Sequence, residues 1–250
     1  MQLDLDLDPN ADLDKQALDS LPTKGALVFH FIPPPPDGEE DPRTARLIEH
    51  FAHHGHPRRL IYISTTGVYG DCQGQWVDEA WPLRPGAARS QRRVHAEQQL
   101  QVWAKASGAD LIILRVAGIY AADRLPLERI RQRAPVVKPE QAPWTNRIHA
   151  ADLVAVCLAA AGRAPAGAIY NVCDGHPSTM TDYFLRVAQA AGLPPPPQID
   201  LQESDGQLSP GMLSYLRESR RLDNRRLREE LGVILRYPDL AAGLAEVRAA

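Results

Sequence analysis

Arg59-Leu-Ile-Tyr-Ile-Ser-Thr-Thr-Gly-Val-Tyr-Gly70 begins as an apolar run and ends in hydroxyls and glycines. A short continuous apolar run closed by glycine reads as a buried strand, of the kind covered on both faces of a parallel sheet. Such a strand delivers Ser64, Thr65 and Thr66 to its carboxyl end, where ligands of open α/β sheets bind. A hydroxyl there can hold a substrate oxygen beside a reacting carbon, or it can bond its own loop.

Working outward, the same texture recurs. Gly25 to Ile32 reads as a strand ended by the prolines Pro33–Pro36, and Ala109 to Val116 and Ala168 to Val172 read as further strands. Between them lie helical stretches. Asp41 to His54 has Leu47, Ile48 and Phe51 on one side and Gly55 as its stop; Ala87 to Ala106 is long, and Asp152 to Ala161 follows. Strands alternating with helices predict βαβ units and an α/β, mostly parallel sheet with helices on both faces. The second half is less regular. Helices are predicted at Thr179 to Ala191, Asp223 to Leu231 and Pro238 to Val247, with a polar connection from Pro194 to Pro210. Residues 1–177 form the sheet domain in this reading, with 125–143 contributing to a small, mainly helical C-terminal lobe of residues 178–250.

Composition narrows the partners. The chain has 250 residues and a net charge of -3, so no basic excess argues for nucleic acid or an anionic membrane. The start, Met1-Gln-Leu-Asp-Leu-Asp6, is acidic and alternating, and no apolar run approaches bilayer length. Cys72, Cys157 and Cys173 are scattered, which suits a reduced cytoplasm and gives neither a disulfide framework nor a zinc site. His50, His53, His54 and His56 gather near a helix C-terminus with no thiol beside them, so no metal is expected. The arginines Arg217, Arg220, Arg221, Arg225, Arg226 and Arg228, interleaved with Asp223, Glu229 and Glu230, read mostly as a solvated helix with ion pairs, a phosphate-binding role for one of them being the minority alternative.

Segments in order along the chain resemble a known family. These are Tyr62 to Gly70; Trp76-Val-Asp-Glu79 with Pro82 and Pro85; Leu114-Arg-Val-Ala-Gly-Ile-Tyr120; Asn146-Arg-Ile-His-Ala-Ala-Asp-Leu153; Tyr170-Asn-Val172; and Arg221 to Leu227 with Glu230-Leu-Gly232. Together they resemble the extended short-chain dehydrogenase/reductases, the NAD-dependent epimerase/dehydratase family, in its atypical sugar-nucleotide-epimerase-like form. The resemblance implies a Rossmann-type fold, NAD or NADP as cofactor, and a small or nucleotide-linked hydroxyl or carbonyl compound as ligand. It implies Thr65 at the catalytic Ser/Thr position, with Thr66 and Tyr69 beside it. Phe31, Ile32, Ser64, Arg93 and Val116 are implied on the cofactor side, and Asn146 and Arg124 on the substrate side. A homodimer through the helices 41–54 and 87–106 is one option; packing of those helices on the sheet is the other.

The chain also departs from the family. The Gly-x-x-Gly-x-x-Gly turn that cradles a pyrophosphate at a helix N-terminus is not found. The chain starts at what resembles the third strand, Gln2 to Leu7, with a helix from Leu13 to Leu21, so a preceding βαβ segment is expected to be missing. Gly67, Gly70 and Gly74 lead into Gln75-Trp-Val-Asp-Glu79 rather than a helix and make no phosphate cradle. The family's Tyr-x-x-x-Lys falls on Arg89 and Arg93. Arginine stays protonated and cannot serve as a general base. His95 and Tyr69 are the nearby titratable substitutes, His95 reading mainly as solvent-facing. Thr66 and Gly67 replace the acidic pair of the 4,6-dehydratases, which argues against elimination chemistry. Thr145 stands where many relatives hold a diphosphate with arginine; Asn146, Arg147 or Arg124 could compensate. Two functions follow: an NAD(P)-linked reductase-like enzyme whose activity the missing tyrosine puts in question, or a non-catalytic nucleotide-binding scaffold.

Overall fold

Side chains alternate across a strand, so a buried strand must satisfy two cores at once. The computed structural model describes residues 21–247 and shows this division. Strands β1 (Leu27–His30), β2 (Arg59–Thr65), β3 (Asp110–Val116) and β4 (Ile169–Val172) form one parallel sheet in the order β1-β2-β3-β4. Leu60, Tyr62, Leu111 and Ile113 face one layer, packing with Leu47 and Phe51 of α1 (Pro42–His54) and Ala96, Leu100 and Trp103 of α2 (Ala88–Ser107). Ile61, Ile112, Leu114 and Val116 face the other, against Val156 and Ala160 of α3 (Ala150–Arg163).

Helix ends follow local chemistry. Asp41 caps α1 by accepting from the backbone N–H groups of Arg43 and Thr44, and Pro42 takes the first helical position, where its missing N–H costs nothing. Gly108 closes α2 in the left-handed conformation.

A separate apolar cluster is built by Tyr120, Ile130, Val136, Met180, Tyr183, Phe184 and Val187, centred on α4 (Met180–Ala190) and joined by Leu240 and Leu244. The expected polar connection from Pro194 to Pro210 carries structure of its own: Gln198–Ile199 pairs in parallel with Val136–Val137. A helix not anticipated from the sequence, α5 (Pro210–Leu216), follows it. The C-terminal residues do not all join this cluster. Leu227 and Leu231 of α6 (Arg225–Leu231) pack beneath the sheet beside Val156, and Leu222 packs against Val68 and Val77. Arg221–Leu222 is extended and pairs with Trp76–Val77, so the basic stretch begins as a strand and becomes helical from Arg225.

Among the described residues, β1 is paired on one side alone, with β2. The expected strand Gln2–Leu7 and the helix from Leu13 lie in residues 1–20, outside the described residues. No described helix is long and apolar enough to cross a membrane.

Candidate functional site

The carboxyl end of β2 opens into a cleft of about 470 Å³ between the sheet and the C-terminal elements. Ser64, Thr65 and Thr66 line it together with Arg93 and Val116. Those expected groups therefore share one wall. Thr65 leaves the strand in extended conformation and accepts from Gly67 N at 3.2 Å, capping the tight turn Thr66–Tyr69. Its hydroxyl hydrogen is still available to donate.

Ser64 is oriented from below. It is buried and donates to Glu97 Oε1, which also accepts from Arg115. Arg115 grips that carboxylate through Nε at 3.2 Å and Nη2 at 2.8 Å, and donates through Nη1 to Tyr69 Oη at 3.0 Å. Tyr69 Oη donates in turn to Asn171 Oδ1 at 2.7 Å. Asn171 closes the network by donating to the carbonyls of Val77 and Asp223.

Tyr69 is therefore corrected from catalytic candidate to structural member. It is fully buried and does not line the cleft. Burial pushes its phenol up to about 12, although Arg115 pulls the other way.

The long helix α2 presents Arg89 and Arg93 to the cleft, one turn apart on one face. Arg93 Nη1 donates to Ile63 O at 2.7 Å and to Tyr62 Oη at 3.1 Å, which holds the guanidinium at the strand end. Arg89 Nη1 donates to Ser214 Oγ at 2.7 Å, and its guanidinium lies 4.2 Å from the centre of the Tyr215 ring. His95, expected to face solvent, instead accepts at Nδ1 from Asp41 N at 2.8 Å and ties α2 to the start of α1.

Other expected residues fall outside. Phe31 is 54% exposed, Ile32 packs toward the core under α1 and α2, and Arg124 sits exposed on a turn; none lines the cleft, where Pro33 and Pro34 stand instead. The strand ends at His30, and the prolines that follow Ile32 carry the chain past the cleft, so that Pro33 and Pro34 rather than Phe31 and Ile32 reach it. Asn146 does line the cleft, but its amide is engaged: Nδ2 donates to Arg220 O at 3.0 Å and Oδ1 accepts from Leu222 N at 2.9 Å. Sequence reading missed Trp144, Tyr215 and Glu218, which line the opening, and left Arg220, which joins them, as a minority candidate within the basic stretch. No local spacing signals this, because each reaches the cleft through a long-range contact.

His30, at the end of β1, is buried outside the cleft, with Nε2 3.0 Å from Thr44 Oγ1, and is pH-sensitive. Burial lowers its pKa to about 4; Asp41 opposes this and Arg93 adds to it. The unfolded chain takes that proton near 6.5. Between pH 4 and 6.5 the unfolded state thus binds more protons, so this contribution is complete above 6.5 and is lost as pH falls toward 4. Asp174 works in the opposite direction, since burial pushes its carboxyl up to about 6 against the backbone bond from His176. Relative to wild type, His30→Gln is expected to gain about 2 kcal/mol on going from pH 7 to pH 5. Urea unfolding of both proteins at both pH values checks this; parallel shifts would show that His30 is not the group responsible.

A dinucleotide asks for a place at each end. The Thr65 hydroxyl, the Arg93 guanidinium and the apolar Val116 suit a nicotinamide-ribose portion at the strand ends. Among the described residues, no glycine-rich strand–helix turn stands beside β1 to receive a pyrophosphate. The fit is to one end of the cofactor.

Comparison with known proteins bears on the family and the fold. Residues 43–173 match the model of the NAD dependent epimerase/dehydratase family. Protein YeeZ of Escherichia coli (strain K12) is 28% identical over 242 residues, covering 94% of this chain and 80% of that protein. A functionally unknown conserved protein from Silicibacter pomeroyi superposes with a TM-score of 0.77 at 38% identity, over 88% of this chain and 76% of that one. UDP-glucuronic acid 4-epimerase from Bacillus cereus, solved in complex with NAD, superposes with a TM-score of 0.73 over 99% of this chain and 78% of that one. At 16% identity this last likeness concerns the fold alone.

Proposed function

The chain belongs to the NAD dependent epimerase/dehydratase family, and from that premise we propose that it binds NAD or NADP and acts as a reductase-like enzyme on a small or nucleotide-linked hydroxyl or carbonyl compound. The observation that carries this reading is the sharing of one cleft by the Thr65 hydroxyl and the Arg93 guanidinium. A bound nicotinamide would supply or accept hydride. Thr65 would donate to the substrate oxygen and fix the reacting carbon, with Thr66 lining the same wall. Arg93, already braced on Ile63 O, would hold a ribose or phosphate.

The proton needs a carrier other than Tyr69. Tyr215 is the phenol on the cleft wall, half exposed and stacked on Arg89. In this reading it takes the part that the family gives to the residue at position 89. All three cysteines are free and buried, which fits a reducing cytoplasm.

A second reading, ligand binding without turnover, is favoured by one observation: Arg89 occupies the tyrosine position and is itself held by Ser214. Titrating the full chain with NADH and NADPH by fluorescence tests the first reading. Saturable micromolar binding is expected, and Arg93→Ala should weaken it about tenfold, more than Arg89→Ala does. Equal effects would count against the role of Arg93, and no saturation with either nucleotide would remove the cofactor reading. With binding present, Tyr215→Phe separates enzyme from scaffold: turnover should fall while nucleotide affinity stays.

A further inference from the structure

The serine and threonine hydroxyls on the cleft wall are not equally engaged. Ser64, Thr65, Thr66, Ser90 and Thr145 all line it. Ser64 donates to Glu97, Thr65 accepts from Gly67 N, and Thr145 donates to Ser178 O at 3.0 Å. The hydroxyls of Ser90 and Thr66 bond no other group among the described residues. Both side chains are nevertheless buried, Ser90 at 1% and Thr66 at 7% exposure. A buried polar group is normally paired, so each of these oxygens asks for a partner. Neither is sealed off: both residues border the open cleft.

Gly67 explains how the two come to share one place. Ser90 lies in the first turn of α2, packed against the turn Thr66–Tyr69 that follows β2. The backbone at Gly67 does not call for glycine, since its φ is not among the positive ones. The space does. A Cβ at 67 would fall 2.6 Å from Ser90 Oγ, with the Thr65 methyl at 3.5 Å. Without that Cβ a notch stays open on the cleft wall. Gly67 is its floor, the Ser90 hydroxyl and the Thr65 side chain border it, and Thr66 stands next to them.

A hydroxyl carries no charge and can donate one hydrogen bond while accepting others. Two such groups beside one notch suit a ligand atom of the same kind, a hydroxyl or carbonyl oxygen. Ligand bonds there replace bonds to water, and a missing partner in a buried polar site is costly, which makes such a site selective. Thr65 keeps its own hydrogen free to donate, so the notch lies directly beside the group proposed to hold the reacting oxygen.

We propose that Ser90, together with Thr66, seats a second oxygen of the compound held in this cleft, next to the oxygen on Thr65. The ligand then carries a hydroxyl or carbonyl oxygen adjacent to its reacting group. The proposal rests on the reading of the cleft as a substrate site and adds a specificity-determining residue and the oxygen pattern that it selects. Gly67 is the residue that keeps the seat open.

Ser90→Cys makes the notch chemically visible, because the three native cysteines are free and buried. The full chain carrying it is treated with iodoacetamide, and alkylation at each position is read by peptide mass. Position 90 is expected to react about tenfold faster than Cys72, Cys157 and Cys173, or more. Dihydroxyacetone, a ketone flanked by hydroxyls, should protect it; acetone, the ketone alone, should not. Binding of dihydroxyacetone is then followed by saturation-transfer NMR. Ser90→Ala should weaken it about three- to tenfold, the range of one hydrogen bond. Gly67→Ala should fold, because the new methyl meets only the movable end of Ser90, and should weaken binding to the same degree. The two changes together should do no more than either alone, since both act on one notch. Should Gly67→Ala fail to fold, Thr66→Val takes its place in the comparison. A thiol at position 90 as slow as the native three, equal protection by both ketones or by neither, or losses that add in the double variant would overturn the proposal. NADH titration of the same proteins keeps the two readings apart. Protection by dihydroxyacetone without NADH binding sinks the cofactor reading and upholds this one; NADH binding with position 90 unprotected does the reverse.

Discussion

Arg115→Met is expected to cost about 3–5 kcal/mol of stability, read as a lowered urea midpoint, because it strands the Glu97 carboxylate where water cannot reach it. The two side chains are 4% and 1% exposed and meet at 2.8 Å. Glu97 would keep the Ser64 hydroxyl as a donor but lose the cation that balances it. Tyr69 Oη would lose a donor and Glu79 O another, so the damage spreads to the segment that frames the cleft. Replacing both charges, as Arg115→Met with Glu97→Leu, should recover part of the loss, since the penalty is for an unpaired buried charge rather than for the absence of a pair. A single variant within 1 kcal/mol of wild type would mean that the network is not what holds β2, β3 and α2 in register.

Gly70→Ala should be comparably severe. Gly70 sits at φ 69° and ψ −151°, a region that side chains avoid. A Cβ there would fall 1.9 Å from the carbonyl oxygen of Arg84, a backbone atom with no freedom to swing aside. Strain and overlap together are expected to cost about 3 kcal/mol or more, visible as a large drop in Tm. Gly70 also passes the chain under Arg84, whose N–H bonds to Val68 O, on the way to the start of α2. Any ligand affinity that depends on Arg89 and Arg93 should therefore fall with the fold. A Gly70→Ala protein melting like wild type would show that this crossing can relax.

Much of the fold was legible along the chain. The apolar runs 59–64 and 109–116 predict the buried strands, and Leu60–Ile61 and Ile112–Ile113 do divide between the two layers. Asp41 and Gly55 mark the ends of α1, because capping is local chemistry between neighbours. The hydroxyl run Ser64–Thr66 and Arg93 could be placed in one cleft, since a strand's carboxyl end and the next helix's face have fixed directions. Tyr69 could not be placed in this way. Beyond Thr65 the chain turns, and the direction of the phenol depends on Asn171, which lies 102 positions away.

The sequence by itself determined the strand–helix alternation, the helix ends and the hydroxyls at the end of β2, all of which depend on residues within a few positions of one another. Only the tertiary structure decided that Tyr215 and Arg220 complete the opening and that Asn146 has its amide occupied. Those outcomes are set by which groups the folded chain brings within hydrogen-bonding range from distant segments. Periodicity reports the faces of an element, not the partners that those faces will meet.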